Sequence, residues 1–521
     1  MTRFRDCDLL LAGGRVVDPE SGLDTVTAVA ISGGTVAAVG ESSGLRASRT
    51  LDVSGHVVTA GFVDLHSHAQ TIPSLRLQAL DGVTTALELE SGAGDVARAL
   101  AVAAAEGRPV NYGYSASWAQ ARMAVLDGET PGPGPLGFAA GIGTSTGLRR
   151  PADPAELSRI IGRLEEEIGA GALGIGVLLG YAPRTGRAEY LRVADTAARL
   201  NVPTFTHARF KAHGGPESAL EGAAEIVAAA AATGAHMHLC HLNSTSLRAV
   251  DEVAELIDGA RARGLDVTTE TYPYGAGMTA VGAPFLEPER LPRLGLRPSD
   301  LVVVATGERP ADADRLRRIR HDTPGALVVV HYLDEASEPD LAVLRRALLL
   351  DDTAIASDAI PFTDAGGTPI DGDRPLPSDA LSHPRSSGTF ARFLRTMVRE
   401  TAALSLREAL RRCSLLPATF LQAAARRWPA RAACGRATTP TSWSSISPRS
   451  PTGRRTAPAR SSVGFTHVFV GGQAVVRDGA VVPAALPGRA IVGGALEAGR
   501  GDPGGRSGSV GRGSRVSGEA E

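Results

Sequence analysis

GFVDLHSH, residues 61–68, is the stretch from which the rest of the chain is best read. Phe62 and Val63 open an apolar strand, and the run ends on two histidines, His66 and His68. Residues two apart on a strand point to the same side. Both imidazoles therefore aim at one point at the C-terminal end of the strand, where barrel enzymes build their sites. The competing reading is a pair of solvated turn histidines. Metal ligation is favoured because the motif follows a β unit and opens a long strand–helix alternation.

Downstream, apolar runs recur as VTTALELE (83–90), NYGYSAS (111–117), GALGIGVLLG (171–180), VPTFTHA (202–208), HMHLCHLN (236–243) and LDVTTETYPY (265–274). Periodicity predicts helices between them near 71–81 and at 153–169, 187–200, 216–233 and 247–263. ALVVVHYL (326–333) and TAIASDAI (353–360) repeat the strand pattern. Short strands alternating with helices imply a parallel sheet, and about eight such units favour closure into a barrel. Upstream, residues 1–60 read as short strands broken by Gly-Gly, Ser-Gly and Asp-Pro turns. Residues 465–482, FTHVFVGGQAVVRDGAVV, return to that style and are expected to complete the N-terminal sheet. The expected fold is α/β: a (β/α)8 TIM-type barrel over 61–427, with a small β-sandwich domain built from both chain ends, 1–60 and 459–494. Residues 428–458 are anomalous. Residues 495–521, rich in Gly, Ser and Arg, read as a disordered tail.

Bulk properties exclude several classes. The chain has 521 residues and a net charge of −2, so no global field draws it to nucleic acid or an anionic membrane. No run approaches the ~20 apolar residues of a membrane span, and the first residues lack a signal-peptide core. A cytoplasmic enzyme with a small-molecule substrate is expected, with a homo-oligomer allowed. Four cysteines, Cys7, Cys240, Cys413 and Cys434, form no CxxC or disulfide pattern. Cys240 stands beside His241, but strand alternation is expected to point it away from a metal. Arginine is abundant, whereas Lys211 is the single lysine.

Other strand ends carry candidate ligands. His207 ends VPTFTHA, and His241, the furthest along HMHLCHL, is preferred over His236 and His238, which read as packing or supporting histidines. Asp358 ends TAIASDA, where a carboxylate can ligate a metal, take a proton from bound water and pass it to a leaving amine.

These residues resemble the amidohydrolase superfamily one by one: the H-x-H of strand one, histidines at strands five and six, and an aspartate at strand eight. The closest resemblance is to the D-aminoacylase branch. It extends through GVTT (82–85), GALGIGVLLGYAP (171–183), TYPY (271–274) and SHPRSSGTFARFLR (382–395), and covers most of residues 5–420 with the strands near 465–490. The resemblance implies one or two divalent ions, zinc first among them, although His and carboxylate donors suit several metals. It makes Arg385 the residue that binds the substrate carboxylate, a role that suits a planar guanidinium. Tyr272 and Tyr274 become candidates to polarise the scissile carbonyl.

Two departures stand out. Two-metal members of the superfamily often bridge their ions with a carboxylated lysine on strand four, and GALGIGVLLG has none. D-aminoacylases instead place a cysteine after the GVTT strand, where this chain reads ALELESG, with Ser91 at the cysteine position. Glu88 and Glu90 share one face of that strand, and buried acids need a partner or a metal. Glu90, nearer the C-terminal end, is the expected bridging ligand, with Glu88 as the alternative. The expected reaction is hydrolysis of the amide of an N-acylated amino acid of D configuration. A cyclic-amide hydrolase of the dihydroorotase or hydantoinase type is the rival.

Residues 434–456, CGRATTPTSWSSISPRSPTGRRT, do not fit their surroundings. One nucleotide out of frame, with GC-rich third positions, the stretch reads roughly RPGDDADLVVFDLAEIADRATY, a good strand and turn. A pair of compensating frameshifts, from a sequencing error or a real lesion, is the expected cause, with a genuine Ser/Pro-rich linker as the alternative. As the chain stands, the small β domain is expected to lose a strand, and an inactive product of a damaged gene is a further reading.

Overall fold

The computed structural model describes residues 5–41, 45–134, 139, 141–142, 144–422, 424–425, 440–443, 457–458 and 462–494. Cys434, the tail 495–521 and most of the anomalous segment lie outside them.

The chain opens with β1 (Arg5–Val17), β2 (Asp24–Ser32), β3 (Thr35–Gly40), β4 (Leu45–Asp52) and β5 (Val57–Ala60). β1 runs antiparallel to β2 and parallel to both β4 and β5, while β2 and β3 form a hairpin. The hairpin turns on Gly33 and Gly34, both at positive φ, which two-residue loops require and glycine adopts without strain.

The barrel follows: β6 (Phe62–Asp64), β7 (Val83–Ala93), β8 (Asn111–Ser117), β9 (Ile175–Leu178), β10 (Thr204–His207), β11 (Met237–Leu239) and β12 (Val267–Thr271). A separate antiparallel sheet, β13 (Ala276–Ala280), β14 (Leu301–Val303) and β15 (Leu327–His331), interrupts the series before β16 (Thr353–Ile355) completes it. The eight barrel strands are parallel in the order β6-β7-β8-β9-β10-β11-β12-β16. The ends meet through a bridge between Ser67 and Ala359, where His68 N–H donates to the Ala359 carbonyl at 2.8 Å. Asp64 reinforces the seam: its carboxylate accepts from the backbone N–H of Ser357 at 2.9 Å and of His66 at 3.2 Å, and from the Ser357 hydroxyl. Every residue of β7 and β8 is buried, as expected of parallel strands covered by helices on one side and barrel contents on the other.

Helix boundaries follow local chemistry. Asp153 caps helix Pro154–Gly169 by accepting from Glu156 N–H, with Glu156 reaching back and proline in the first turn. Ser218 and Glu221 do the same for helix Ala219–Thr233, which ends on left-handed Gly234.

Three expectations need correction. ALVVVHYL is a strand but not a barrel strand: β15 pairs antiparallel with β13 and β14. An apolar run encodes a buried strand without naming its partners. The C-terminal strands do not extend the first sheet. After β17 (Leu381–Ser382), β18 (Pro440–Trp443) and β19 (Ala457–Pro458), the strands β20 (Val468–Val470), β21 (Gln473–Arg477) and β22 (Ala480–Val481) form their own sheet. Phe469 and Ala474 from that sheet pack among Leu9, Leu11, Val16 and Ile31 of the first. Finally, the small sheet keeps a strand in the anomalous segment. β18 lies antiparallel to β5 at the sheet edge. The ladder is made by backbone groups, and proline is tolerated at the first position of an edge strand.

Candidate metal centre

Parallel strands point their C-terminal ends to one side of the barrel, so residues distant in sequence converge there. His66 and His68 follow β6, Glu88 and Glu90 sit on β7, and His207 ends β10. His241 follows β11, Glu270 lies on β12, and Asp358 follows β16. All eight are buried.

Two triangles of donor atoms result. In the first, His66 Nε2 and His68 Nε2 are 3.1 Å apart and lie 3.5 and 3.6 Å from Asp358 Oδ1. In the second, Glu90 Oε1 lies 3.0 Å from His207 Nδ1 and 2.7 Å from His241 Nε2, which are 3.1 Å from each other. The other oxygen of Glu90, Oε2, is 3.2 Å from His66 Nε2. One carboxylate therefore faces both triangles. A tetrahedral ion with ligands ~2.0–2.1 Å away sets ligand–ligand edges of about 3.3 Å. The observed spacings match that edge, so the donor set fits divalent cations.

The outward-facing ring nitrogens are also held. His66 Nδ1 donates to Glu270 Oε1 at 2.5 Å, His68 Nδ1 to Glu88 Oε2 at 2.7 Å, and His241 Nδ1 to Thr245 Oγ1 at 2.9 Å. Each contact fixes the tautomer that leaves Nε2 free for a metal, as carboxylate–histidine pairs do in metalloenzymes. Glu88 is itself held by the backbone N–H groups of Ser91 and Gly92. It thus supports His68, while Glu90 faces the centre.

Electrostatics agree with a cation-binding cluster. Burial opposes a charge on His66, but Glu90, Asp358 and Glu270 outweigh it and raise its pKa well above the ordinary value. Burial opposes a charge on Glu90 as well, yet His66, His241 and His207 hold it well below the usual carboxylate range. His207 is pushed down to about 3 by burial and by Lys211. Without a metal, protons substitute for the missing positive charge.

His241 and Asp358 owe their placement to strained backbone. By alternation after Met237, His238 and Cys240 share one side and His241 the other. His241 reaches the centre because its φ is +37°, and Asp358 sits at +50°. Left-handed conformations in non-glycine residues cost of order 1–3 kcal/mol and gather at functional sites. The same alternation corrects the expectation for Cys240, which does not point away: its thiol lies within 4.8 Å of donor atoms of His66 and Glu90. His236 and His238 contact Thr268 at 2.7 and 2.8 Å, and His238 also approaches Glu270 at 3.4 Å, outside both triangles.

A cleft of about 620 Å³, measured out to its solvent mouth, opens on the centre. Arg385, 1% exposed, lies within it, with Nη1 2.9 Å from Asp358 Oδ2 and the guanidinium 4.7 Å above the Tyr272 ring. Tyr272 lines the cleft, but Tyr274 does not. The turn after β12 tips Tyr274 away, and its hydroxyl donates to the Gly388 carbonyl at 3.2 Å. Its candidacy as a carbonyl-polarising group is withdrawn. Sequence reasoning passed over three features here: Glu270 as a supporting carboxylate, Lys211 in the wall, and the wall formed by Gly277–Ala280 of β13. For Glu270 the available signal was an acid at a barrel strand end. For Lys211 it was a lone lysine in an arginine-rich chain.

Residues 49–249 match the model of the amidohydrolase family. The chain is 27% identical over 536 residues to an N-acyl-D-glutamate deacylase of Alcaligenes xylosoxydans xylosoxydans, covering 93% of this chain and 96% of that one. It is 26% identical over 434 residues to a D-aminoacylase of the same organism, covering 77% and 81%. The crystal structure of an N-acyl-D-glutamate deacylase from Bordetella bronchiseptica, complexed with zinc and a phosphonate inhibitor, superposes with a TM-score of 0.71 at 21% identity, covering 94% of this chain and 100% of that one. The likeness shows the fold alone, a TIM-like barrel with additional sheets.

Proposed function

We propose that the protein hydrolyses the amide bond of N-acylated D-amino acids, with His66, His68 and Asp358 holding a divalent ion on one side of Glu90 and His207 and His241 on the other. Zinc is the first choice, as one ion or two. The observation that carries this reading is the pair of donor triangles divided by the Glu90 carboxylate. When bound, the cation supplies an activated water and polarises the scissile carbonyl.

The remaining work belongs to side chains of this chain. Asp358 turns Oδ1 toward His66 and His68 and Oδ2 toward Arg385, so it can take the proton of the attacking water and give it to the leaving amine. Arg385 presents a planar fork for the substrate α-carboxylate; its Nε has no hydrogen-bond partner. Its contact with Asp358 ties substrate binding to the proton-carrying group. Tyr272, beneath the guanidinium, is placed to donate toward the carbonyl oxygen as charge develops there. Gly277 keeps this corner open: a methyl group there would come 3.0 Å from the Tyr272 hydroxyl and 3.4 Å from Arg385 Nη1. The named activities of the two relatives support the substrate class. Among the described residues no helix is long and apolar enough to cross a membrane.

The test is a panel of N-acetyl-D-amino acids, their L counterparts, dihydroorotate and hydantoins, offered to the zinc-loaded protein. Release of the free D-amino acid supports the reading. Ring opening without deacylation contradicts it.

A further inference from the structure

Lys211 is the only lysine in a chain with 54 basic residues, and it lies in the wall of the cleft. It stands on the loop after β10, on the face of the barrel that carries the metal centre. Its side chain is almost wholly enclosed, at 5% exposure for the residue. Among the described residues, no carboxylate pairs with its ammonium and no acceptor hydrogen-bonds to it. Its neighbours are ring faces: Nζ lies 4.4 Å from the centre of Phe285 and 5.6 Å from that of Tyr332. Arg209, two residues earlier and equally buried, shows the contrast. Its guanidinium is bound by Glu225 at 2.7 and 2.8 Å and by the carbonyls of Pro183 and Thr185. Phe285 also stacks on His207, which places Lys211 one ring from the metal centre.

A buried cation without a counter-ion is costly, and aromatic faces compensate only in part. The cleft's other charged groups are already engaged. Glu90 faces three histidines, and Asp358 is paired with Arg385. Burial pushes Lys211 down to about 8, which leaves it cationic at neutral pH.

We propose that Lys211 selects the substrate by binding a second carboxylate, distinct from the α-carboxylate held by Arg385. The preferred substrates are then N-acyl amino acids with an additional acid, carried by the side chain or by the acyl group. This inference rests on the function proposed above but has its own readout.

In the kinetic arms, N-acetyl-D-glutamate is compared with N-acetyl-D-glutamine, and N-succinyl-D-leucine with N-acetyl-D-leucine, in wild type and Lys211→Met. One acidic member is expected to be favoured in kcat/KM by about 10–100-fold, and Lys211→Met is expected to reduce that ratio to near unity. The pair that responds identifies where the second acid sits. In the binding arm, glutarate and butyrate are titrated into both proteins by calorimetry. Wild type is expected to bind the dicarboxylate at least about tenfold more tightly, and the variant to lose the difference. Loss of all turnover with the glutarate preference intact contradicts the proposed reaction but keeps the anion site. Equal affinity for glutarate and butyrate in wild type, or the same preferences in Lys211→Met, overturns the proposal. The wild-type comparison needs no variant to fold.

Discussion

Glu90 gives one carboxylate oxygen to each half of the centre, so its replacement is expected to disturb both. Glu90→Gln keeps the shape and removes the charge; kcat/KM for deacylation is expected to fall on the order of 100-fold or more, with metal content read in parallel by elemental analysis. Glu270→Ala removes the acceptor that orients His66, and zinc affinity is expected to weaken about 10–100-fold in a chelator competition. The pH dependence has two opposed signs. His66 and His68 are raised above the ordinary histidine value in the metal-free protein. Their contribution to metal-free stability is full below about 6.5 and is lost as pH rises through their folded-state values. A metal must displace those protons, so affinity runs the other way and strengthens about tenfold per pH unit for each proton released. Thermal melts of the metal-free protein and zinc titrations across pH 6 to 9 check both slopes. The convergence of the histidines was legible because strand alternation and strand ends are written in the sequence. Cys240, Tyr274 and Lys211 were not, because their placement depends on what the chain does after a strand stops. A left-handed φ at His241 and the turn after Thr271 have no local periodicity to reveal them.

At the level of elements, Gly82 shows how a strand start is tied to its surroundings. It opens the GVTT turn at φ +86°, and a methyl group there would lie 2.6 Å from the Phe465 ring and 2.9 Å from that of Phe62. Phe62 also stacks on Phe390 at 5.2 Å and meets Phe465 edge-on at 5.7 Å. Gly82→Ala thus combines backbone strain with overpacking and is expected to destabilise by about 2–4 kcal/mol in denaturant melts. A loss under about 0.5 kcal/mol would show that the aromatic cluster yields freely. Gly176 on β9 is equally constrained. Any side chain there would run into the backbone carbonyls of Leu89 and Glu90. Strand four therefore closes against the carrier of the shared carboxylate and offers nothing at 176 in its place. Barrel strands and capped helices were readable because each carries its own period and end signals. The strand Leu327–His331 carried the same period and was assigned to the wrong sheet, since pairing partners are set by tertiary packing.

For the whole molecule, the small sheets couple the chain ends to the barrel, and the segment 434–456 bears on that coupling. Pro440–Trp443 already supplies a short edge strand beside Val57–Ala60. The out-of-frame reading places an Ala-Asp-Leu-Val-Val run from residue 440 onward, which would pair as a longer and more apolar strand. A gene carrying that reading across 434–456 is expected to yield a protein with a higher melting midpoint than the sequence as it stands; an equal or lower midpoint counts against compensating frameshifts. Everything about function rests on distant strand ends gathering imidazoles and carboxylates around a cation. Anomalous scattering at the zinc edge from crystals grown with zinc measures that directly. One or two peaks beside Glu90, bounded by His66, His68 and Asp358 or by His207 and His241, are the expected result; a fully zinc-loaded protein with no peak among these residues would contradict it.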